Sequence, residues 1–169
     1  MSEHFEMNCG YEEELQVQHL PEVLPIQISG QSIQTCLDDY FSSEKIEWKC
    51  PNCPQVQVQK SSSLITKPNI LILQLMRYKY DETQQKVKKI HSEVVSSPNL
   101  ILKHGTTYFL HSIINHNGEN TQSGHYNVLL FQKESRQAIL LDDVNISNIE
   151  DGYQQEMETL SYICVYTAE

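Results

Sequence analysis

Three observations predict an α+β fold, mainly antiparallel β-sheet with one or two short helices. Short runs of alternating or continuous apolar residues recur along the chain, helical periodicity is clear in one stretch only, and two apolar runs after residue 124 face each other across a polar turn. At 169 residues the chain is long enough for one ordinary domain with a core of its own.

Residues 1–14 carry Cys9-Gly10 and the acids Glu12 to Glu14, with no start signal for a helix or a strand. From Leu15 to Ile28 apolar and polar residues alternate in short stretches, and Pro21 and Pro25 confine them to edge strands or an extended arm. Ser32 is an N-cap for a helix, because Ile33, Cys36, Leu37, Tyr40 and Phe41 then fall on one face. Cys36 lies in the middle of that stripe and reads as a small core residue. Glu44 to Trp48 leads into Cys50-Pro51-Asn52-Cys53. Residues 54–68 are strand-like in pieces, with Ser61 to Ser63 as a turn or flexible joint.

Pro68-Asn69 opens the strongest strand, ILILQLMRYKY, whose continuous apolar start predicts burial on both faces and whose Arg77, Lys79 and Asp81 predict emergence into solvent. Asp81 to Lys89 reads as a charged turn, and Val94-Val95 with Leu100 to Leu102 as a weaker strand pair. The next strand runs from Thr106 to His116, with Tyr108, Leu110, Ser112 and Ile114 on one face and Phe109, His111 and Ile113 on the other. Asn117 to Ser123 is a polar loop with an Asn-Gly turn signal. Val144, Ile146 and Ile149 form a short connection, and Ser161 to Tyr166 is a final strand in which Cys164 packs.

The formal charge of -10 argues against a nucleic-acid surface, since phosphate binding draws its affinity from Lys and Arg; a basic partner suits this balance better. No apolar run is long enough to span a bilayer, and the acidic start MSEHFEMNCG lacks the features of a signal peptide. Five cysteines, an odd number, read as reduced thiols or metal ligands, which places the protein in the cytosol or nucleus.

Two constellations carry chemistry. Gly124-His125 enters the run Tyr126, Val128, Leu130, which crosses a turn at Lys133 to Arg136 and returns through Ala138 to Leu141 into Asp142-Asp143. An antiparallel pairing brings His125 and Asp142 or Asp143 to the same end, and an imidazole held by a carboxylate is a general base for a cysteine or serine. A surface hairpin with a stray histidine and two solvated aspartates is the other reading of this stretch. The second constellation is the CxxC of Cys50 and Cys53, which can grip one face of a tetrahedral zinc, with Cys9 as a third ligand and His4 or Glu6 as a fourth. A turn with two reduced cysteines is its alternative.

Taken together, Cys9-Gly10, the helix SIQTCLDDYF, CPNC, PNILILQLMRY, SGHY, the DD pair and the terminal SYICVY resemble the second half of a ubiquitin-specific protease domain, from about Cys9 to Tyr166. That family consists of papain-like cysteine proteases that cleave after the C-terminal glycine of ubiquitin. The resemblance implies a papain-like palm and fingers, with residues 1–66 fingers-like and 67–169 the palm. It implies His125 as catalytic histidine, Asp142 as the third member of the triad and Asp143 as the acid that follows it. Gly124 and Tyr126 would contact substrate, Gly124 giving ubiquitin's narrow Gly-Gly tail room to approach, and Cys9, Cys50 and Cys53 would form an incomplete structural zinc site. Asn115-His116-Asn117-Gly118 matches the family's His-x-Gly segment, and Arg77-Tyr78 its Arg-Phe.

Three departures stand out. Ala138 replaces a frequent tryptophan, and Glu6 stands where the other zinc pair would begin. The third concerns the nucleophile. None of the five cysteines lies in a Cys box ahead of a helix, and in papain-like enzymes the cysteine precedes the histidine by more than a hundred residues, which puts it before Met1. The expected function is therefore the C-terminal part of a deubiquitinase whose nucleophile comes from a Cys-box segment elsewhere. The alternatives are a non-catalytic module that binds ubiquitin or ubiquitinated proteins, and a small zinc-stabilised domain.

Overall fold

Strand pairing dominates the fold, but it starts earlier in the chain than the sequence predicts. The computed structural model describes residues 1–16, 22–54, 56–103, 105–120, 123–132, 137–149 and 161–168. Its elements are β1 (Ser2–Glu6), β2 (Glu12–Gln16), β3 (Leu24–Ile26), α1 (Ile33–Tyr40), β4 (Glu44–Glu47), β5 (Gln57–Ser63), β6 (Ile70–Leu75), β7 (Tyr78–Asp81) and β8 (Lys86–Lys89). They continue with β9 (Asn99–Ile101), β10 (Thr107–Asn117), β11 (His125–Phe131), β12 (Ala138–Asp142), β13 (Asn145–Ile149) and β14 (Ser161–Ala168). Two compact units result, one from residues 1–21 and 38–67, the other from 22–37 and 68–169.

The first unit is a four-stranded antiparallel sheet in the order β2-β1-β5-β4. Residues 1–14 thus hold one strand and most of another where no start signal was read. Phe5 is the only large apolar side chain of β1, and β2 opens on three acids of which Glu12 and Glu14 are exposed, so the pattern that announces a half-buried strand is nearly missing. Backbone pairing supplies what the side chains do not: Phe5 stands opposite Glu13 on one side and Lys60 on the other. Gly10 closes the turn at φ 79, a left-handed conformation that a side chain would strain. Ser61 to Ser63 are a continuation of β5, held by pairing with Ser2 to His4, and not a joint. Phe5, Met7, Cys50 and Val58 form a small core, with Trp48 stacked on Phe5 at 4.4 Å.

The second unit is an eight-stranded sheet in the order β13-β12-β11-β10-β14-β6-β3, with β9 also paired to β10. β3 runs parallel to β6, and every other pair is antiparallel. Ser32 caps α1, its Oγ accepting the Thr35 amide at 3.1 Å, and Ile33, Cys36 and Leu37 turn inward.

β6 alternates, contrary to the expected burial on both faces: Leu71, Leu73 and Leu75 are buried, whereas Ile70 is 57% exposed. Arg77 is likewise not an exit into solvent. It is 1% exposed, its Nε donating to the Ser161 carbonyl at 2.7 Å and its Nη1 to those of Ile90 and Ser92 at 3.2 and 2.9 Å. A guanidinium can be buried this way because its rigid fork meets several acceptors at once.

Asp81 to Lys89 is more than a turn: β7 and β8 pair as a hairpin, with Gln85 at φ 48. Val94-Val95 forms no strand, contributing only an isolated bridge from Val95 to Ser32, while β9 covers the Leu100 region. In β10 the predicted faces hold through Ser112 and then change phase. Register shifts against β14 near residue 111 and after Ile114 leave Ile113 fully buried and Ile114 half-buried. Leu129 and Phe131, not Val128 and Leu130, are the buried residues of β11. The predicted turn at Lys133 to Arg136 lies outside the described residues, and Val144 to Ile149 is not a connection but the turn into β13 and the strand itself.

Candidate active site

Sheet register brings His125 to Asp142. β10 and β11 pair with Asn117 opposite His125, and β11 and β12 pair with Val128 opposite Leu141. Side chains alternate along a strand, so His125 and Asn127 share one face while Gly124 and Tyr126 take the other. Asp142 follows Leu141 and lies beside Asn127, one diagonal step from His125.

His125 Nε2 is hydrogen-bonded to Asp142 Oδ1, with both side chains partly open to solvent. Asp143, at φ 53 in the turn before β13, brings its carboxylate close as well: a ring nitrogen of His125 and a carboxylate oxygen from each aspartate all lie within 4.8 Å of one another. The Asp142 hydrogen bond first, then the Asp142 charge, raise the His125 pKa above its ordinary value. Desolvation opposes them, by more than the Asp143 charge adds. Because Nε2 faces the carboxylate, the neutral ring carries its proton there and presents Nδ1 as the basic nitrogen.

The opposite face of this end of the sheet holds a cluster built around His116. His116, 3% exposed, pairs with Tyr126 across β10 and β11, their rings 4.7 Å apart. Tyr78 and Tyr162 complete an aromatic enclosure, each 6.1 Å from the His116 ring. His116 Nδ1 lies 2.8 Å from the Tyr78 hydroxyl and 3.3 Å from Lys89 Nζ, which also donates to the carbonyls of His116 and Gly118 at 2.7 Å each. Burial, followed by the Lys89 charge, lowers the His116 pKa. Gly124 meets this cluster directly: a Cβ there would fall 2.1 Å from His116 Nε2. The His-x-Gly and Arg-Tyr matches were the signals that could have found His116 and Tyr78; Lys89, inside an expected charged turn, had none.

In the first unit, one sulfur each from Cys9, Cys50 and Cys53 fall within 4.8 Å of one another. This cluster could hold a metal ion. Burial works to raise the Cys50 thiol, but hydrogen bonds from the Asn52 amide, Cys53 and Cys9 outweigh it and hold the pKa below its ordinary value, as a thiolate ligand requires. His4 and Glu6 do not join them. Alternation turns both away from Phe5 and the Cys50 core, and they line a separate cavity with Asn8, Ser43, Gln59 and Ser61.

The remaining thiols are packed away. Cys36 is buried on α1, and Cys164 is buried beside Ser96 with its pKa pushed up to about 12 by desolvation. Cys164 lies opposite Ile113, which places it two strands and four residues from His125, roughly 16 Å by sheet spacings. Among the described residues no helix is long and apolar enough to cross a membrane.

The family model described as ubiquitin carboxyl-terminal hydrolase matches residues 31–166. The probable ubiquitin carboxyl-terminal hydrolase 9 of Schizosaccharomyces pombe is 30% identical, the match covering 81% of this chain and 26% of the relative. Ubiquitin carboxyl-terminal hydrolase creB of Emericella nidulans is 28% identical over 72% of this chain and 18% of its own. The chain thus spans about a quarter or less of the length of these curated relatives. Among solved structures, the SAGA DUB module of Ubp8, Sgf11, Sus1 and Sgf73 bound to monoubiquitin matches with a TM-score of 0.82 at 19% identity, covering 99% of this chain and 40% of that chain. A structure of the yeast SAGA DUB module with an altered Sgf73 matches with 0.80 at 18%, over the same shares. At these identities the likeness is one of fold.

Proposed function

Since the chain belongs to the ubiquitin carboxyl-terminal hydrolase family, we propose that it is the histidine- and aspartate-bearing C-terminal part of a cysteine deubiquitinase domain. The domain would hydrolyse isopeptide or peptide bonds at the C-terminal glycine of ubiquitin, with its nucleophilic cysteine supplied by a Cys-box segment outside these residues, in the same polypeptide or a separate one. The α+β fold is of the papain-like type, and the first and second compact units would serve as fingers and palm. The observation that carries this reading is the hydrogen bond from His125 to Asp142. The positions of Cys36 and Cys164 favour an external nucleophile. A reducing compartment, cytoplasmic or nuclear, suits the five thiols.

The chemistry follows from the ring's orientation. Nδ1 of His125 takes the proton of the incoming thiol, and Asp142, on Nε2, fixes the tautomer and stabilises the imidazolium, with Asp143 adding a second negative charge. The thiolate attacks the carbonyl carbon of ubiquitin's last glycine, and the imidazolium returns its proton to the departing lysine or peptide amine. Water then attacks the thioester, His125 accepting its proton and passing it to the thiolate that leaves. Gly124 and the half-exposed Tyr126 would border the strand-like tail of ubiquitin. Cys9, Cys50 and Cys53 would hold a structural zinc, which, when bound, cross-links two distant turns of the first unit.

The test is complementation with a Cys-box segment. Hydrolysis of ubiquitin amides is expected, and His125→Ala should lower it on the order of 10²- to 10⁴-fold or abolish it; full activity in that variant would overturn the mechanism. The -10 charge favours a second reading, a non-catalytic ubiquitin-binding module. Failure of complementation, together with salt-sensitive shifts of labelled ubiquitin on adding the isolated chain, would select it.

A further inference from the structure

We propose that His116 is a positioning residue for His125, acting through Gly124: its buried imidazole occupies the space a side chain at residue 124 would take and fixes how the backbone enters β11. This rests on the reading of His125 as the general base.

Three observations converge on the contact. A Cβ at Gly124 would lie 2.1, 2.7 and 2.9 Å from Nε2, Cε1 and Cδ2 of His116, so the glycine backbone lies directly against the ring. No positive φ demands glycine there; the neighbour does. Gly118 interlocks from the other side. Its missing Cβ would fall 2.5 Å from the Ser123 carbonyl oxygen, 2.8 Å from Gly124 Cα and 3.2 Å from His116 Cε1. The two ends of the loop between β10 and β11 are thereby clasped around one imidazole.

The ring is held more firmly than packing requires. Tyr78 and Lys89 both face Nδ1, and Lys89 has no proton acceptor to offer, so Nδ1 accepts and the ring is neutral with its proton on Nε2, toward Gly124. Lys89 also ties the carbonyls of His116 and Gly118, so one ammonium fixes both the ring and the loop's first glycine. Tyr126 and Tyr162 close the remaining sides, and no carboxylate is hydrogen-bonded or ion-paired to the ring among the described residues. Gly124 is covalently joined to His125, and alternation sends the two to opposite faces. A shift of the backbone at Gly124 therefore rotates the imidazole away from Asp142. General-base geometry tolerates displacements well under an ångström.

A titration of His125 by NMR in the chain as it stands, without nucleophile or ubiquitin, tests this. In the unaltered chain His125 should titrate above the ordinary histidine value of 6.5. Gly124→Ala and His116→Ala, one by crowding the contact and the other by emptying it, should each bring the His125 value back toward 6.5. In the double variant the methyl occupies space the ring vacated, and the raised value should be at least partly restored. His116→Gln, which keeps an acceptor for Tyr78 and Lys89, should fall between the unaltered chain and His116→Ala. Dispersed amide spectra identify the variants that have folded. An unshifted His125 in folded His116→Ala or His116→Gln, or a double variant no better than its parents, would overturn the proposal. Failed complementation with a Cys box would overturn the deubiquitinase reading while leaving this coupling measurable.

Discussion

His116 and His125 lie one strand position out of register on facing strands, yet their environments drive their protons in opposite directions. Asp142 raises His125, so the folded chain holds that proton longer than the unfolded one, and the stability this contributes is present below the ordinary histidine value and lost as pH rises through the folded value. Burial and Lys89 lower His116, so in falling below about 6.5 the pH adds a proton to the unfolded chain that the folded chain refuses. Stability is therefore lost on the acid side. His125 titrates in both chains, so between about pH 7 and pH 5 the urea midpoint of the unaltered chain should fall relative to that of His116→Gln, which has nothing at residue 116 to protonate; an equal change in both would refute the assignment. The dyad was legible from Gly124-His125 and Asp142-Asp143 because a hairpin converts sequence spacing into proximity. The second histidine was marked only by its His-x-Gly match and its role was not legible, since that role depends on Lys89 and Tyr78, which only tertiary pairing brings to it, and on a glycine whose neighbour is invisible in sequence.

Among the elements, β10 does most to set the geometry of the site. It pairs with β9, β11 and β14, and its end at Asn117 fixes where β11 begins. Ile113, fully buried and opposite both Leu129 and Cys164, is the residue at which β10, β11 and β14 meet. Ile113→Ala should cost about 2–5 kcal/mol in urea unfolding, from lost transfer energy plus the cavity left behind. A cost below 1 kcal/mol would mean the strands repack. Strands with marked apolar runs, such as β6, β10 and β14, were legible as strands because their side chains carry the pattern, although the alternating burial of β6 was not, and α1 was legible because five residues share its face. β1, β2, β8 and β13 were not. Their side chains are largely polar, and outside β1 largely exposed, so what makes them strands is the hydrogen-bonding edge of a neighbour, a long-range cause that local periodicity does not record. The change of phase in β10 has the same origin, since register shifts against β14 move the inward positions by one.

At the scale of the whole molecule, the two units differ in how they are stabilised. The second buries leucines, isoleucines and tyrosines along most strands of an eight-stranded sheet, the core expected of a self-sufficient domain. The first has a four-stranded sheet around Phe5, Met7, Cys50 and Val58, with Tyr11, Ile46, Trp48 and Cys53 only partly covered. Fully burying a residue of this kind contributes roughly 1.5–3 kcal/mol, while ordering each residue costs about 1–2 kcal/mol of backbone entropy, so a core this small calls for a staple. A metal held by Cys9, Cys50 and Cys53 would join the β1–β2 turn to the turn after Trp48, closing the loop between residues 9 and 50. The purified chain should therefore carry close to one metal ion, lost in Cys50→Ser. Chelation should speed amide exchange in residues 1–16 and 38–54 while leaving β6, β10 and β14 protected. Protection unchanged by chelation in a chain shown to contain metal would mean that the staple is not needed. Exchange rising equally in both units would mean that they unfold as one.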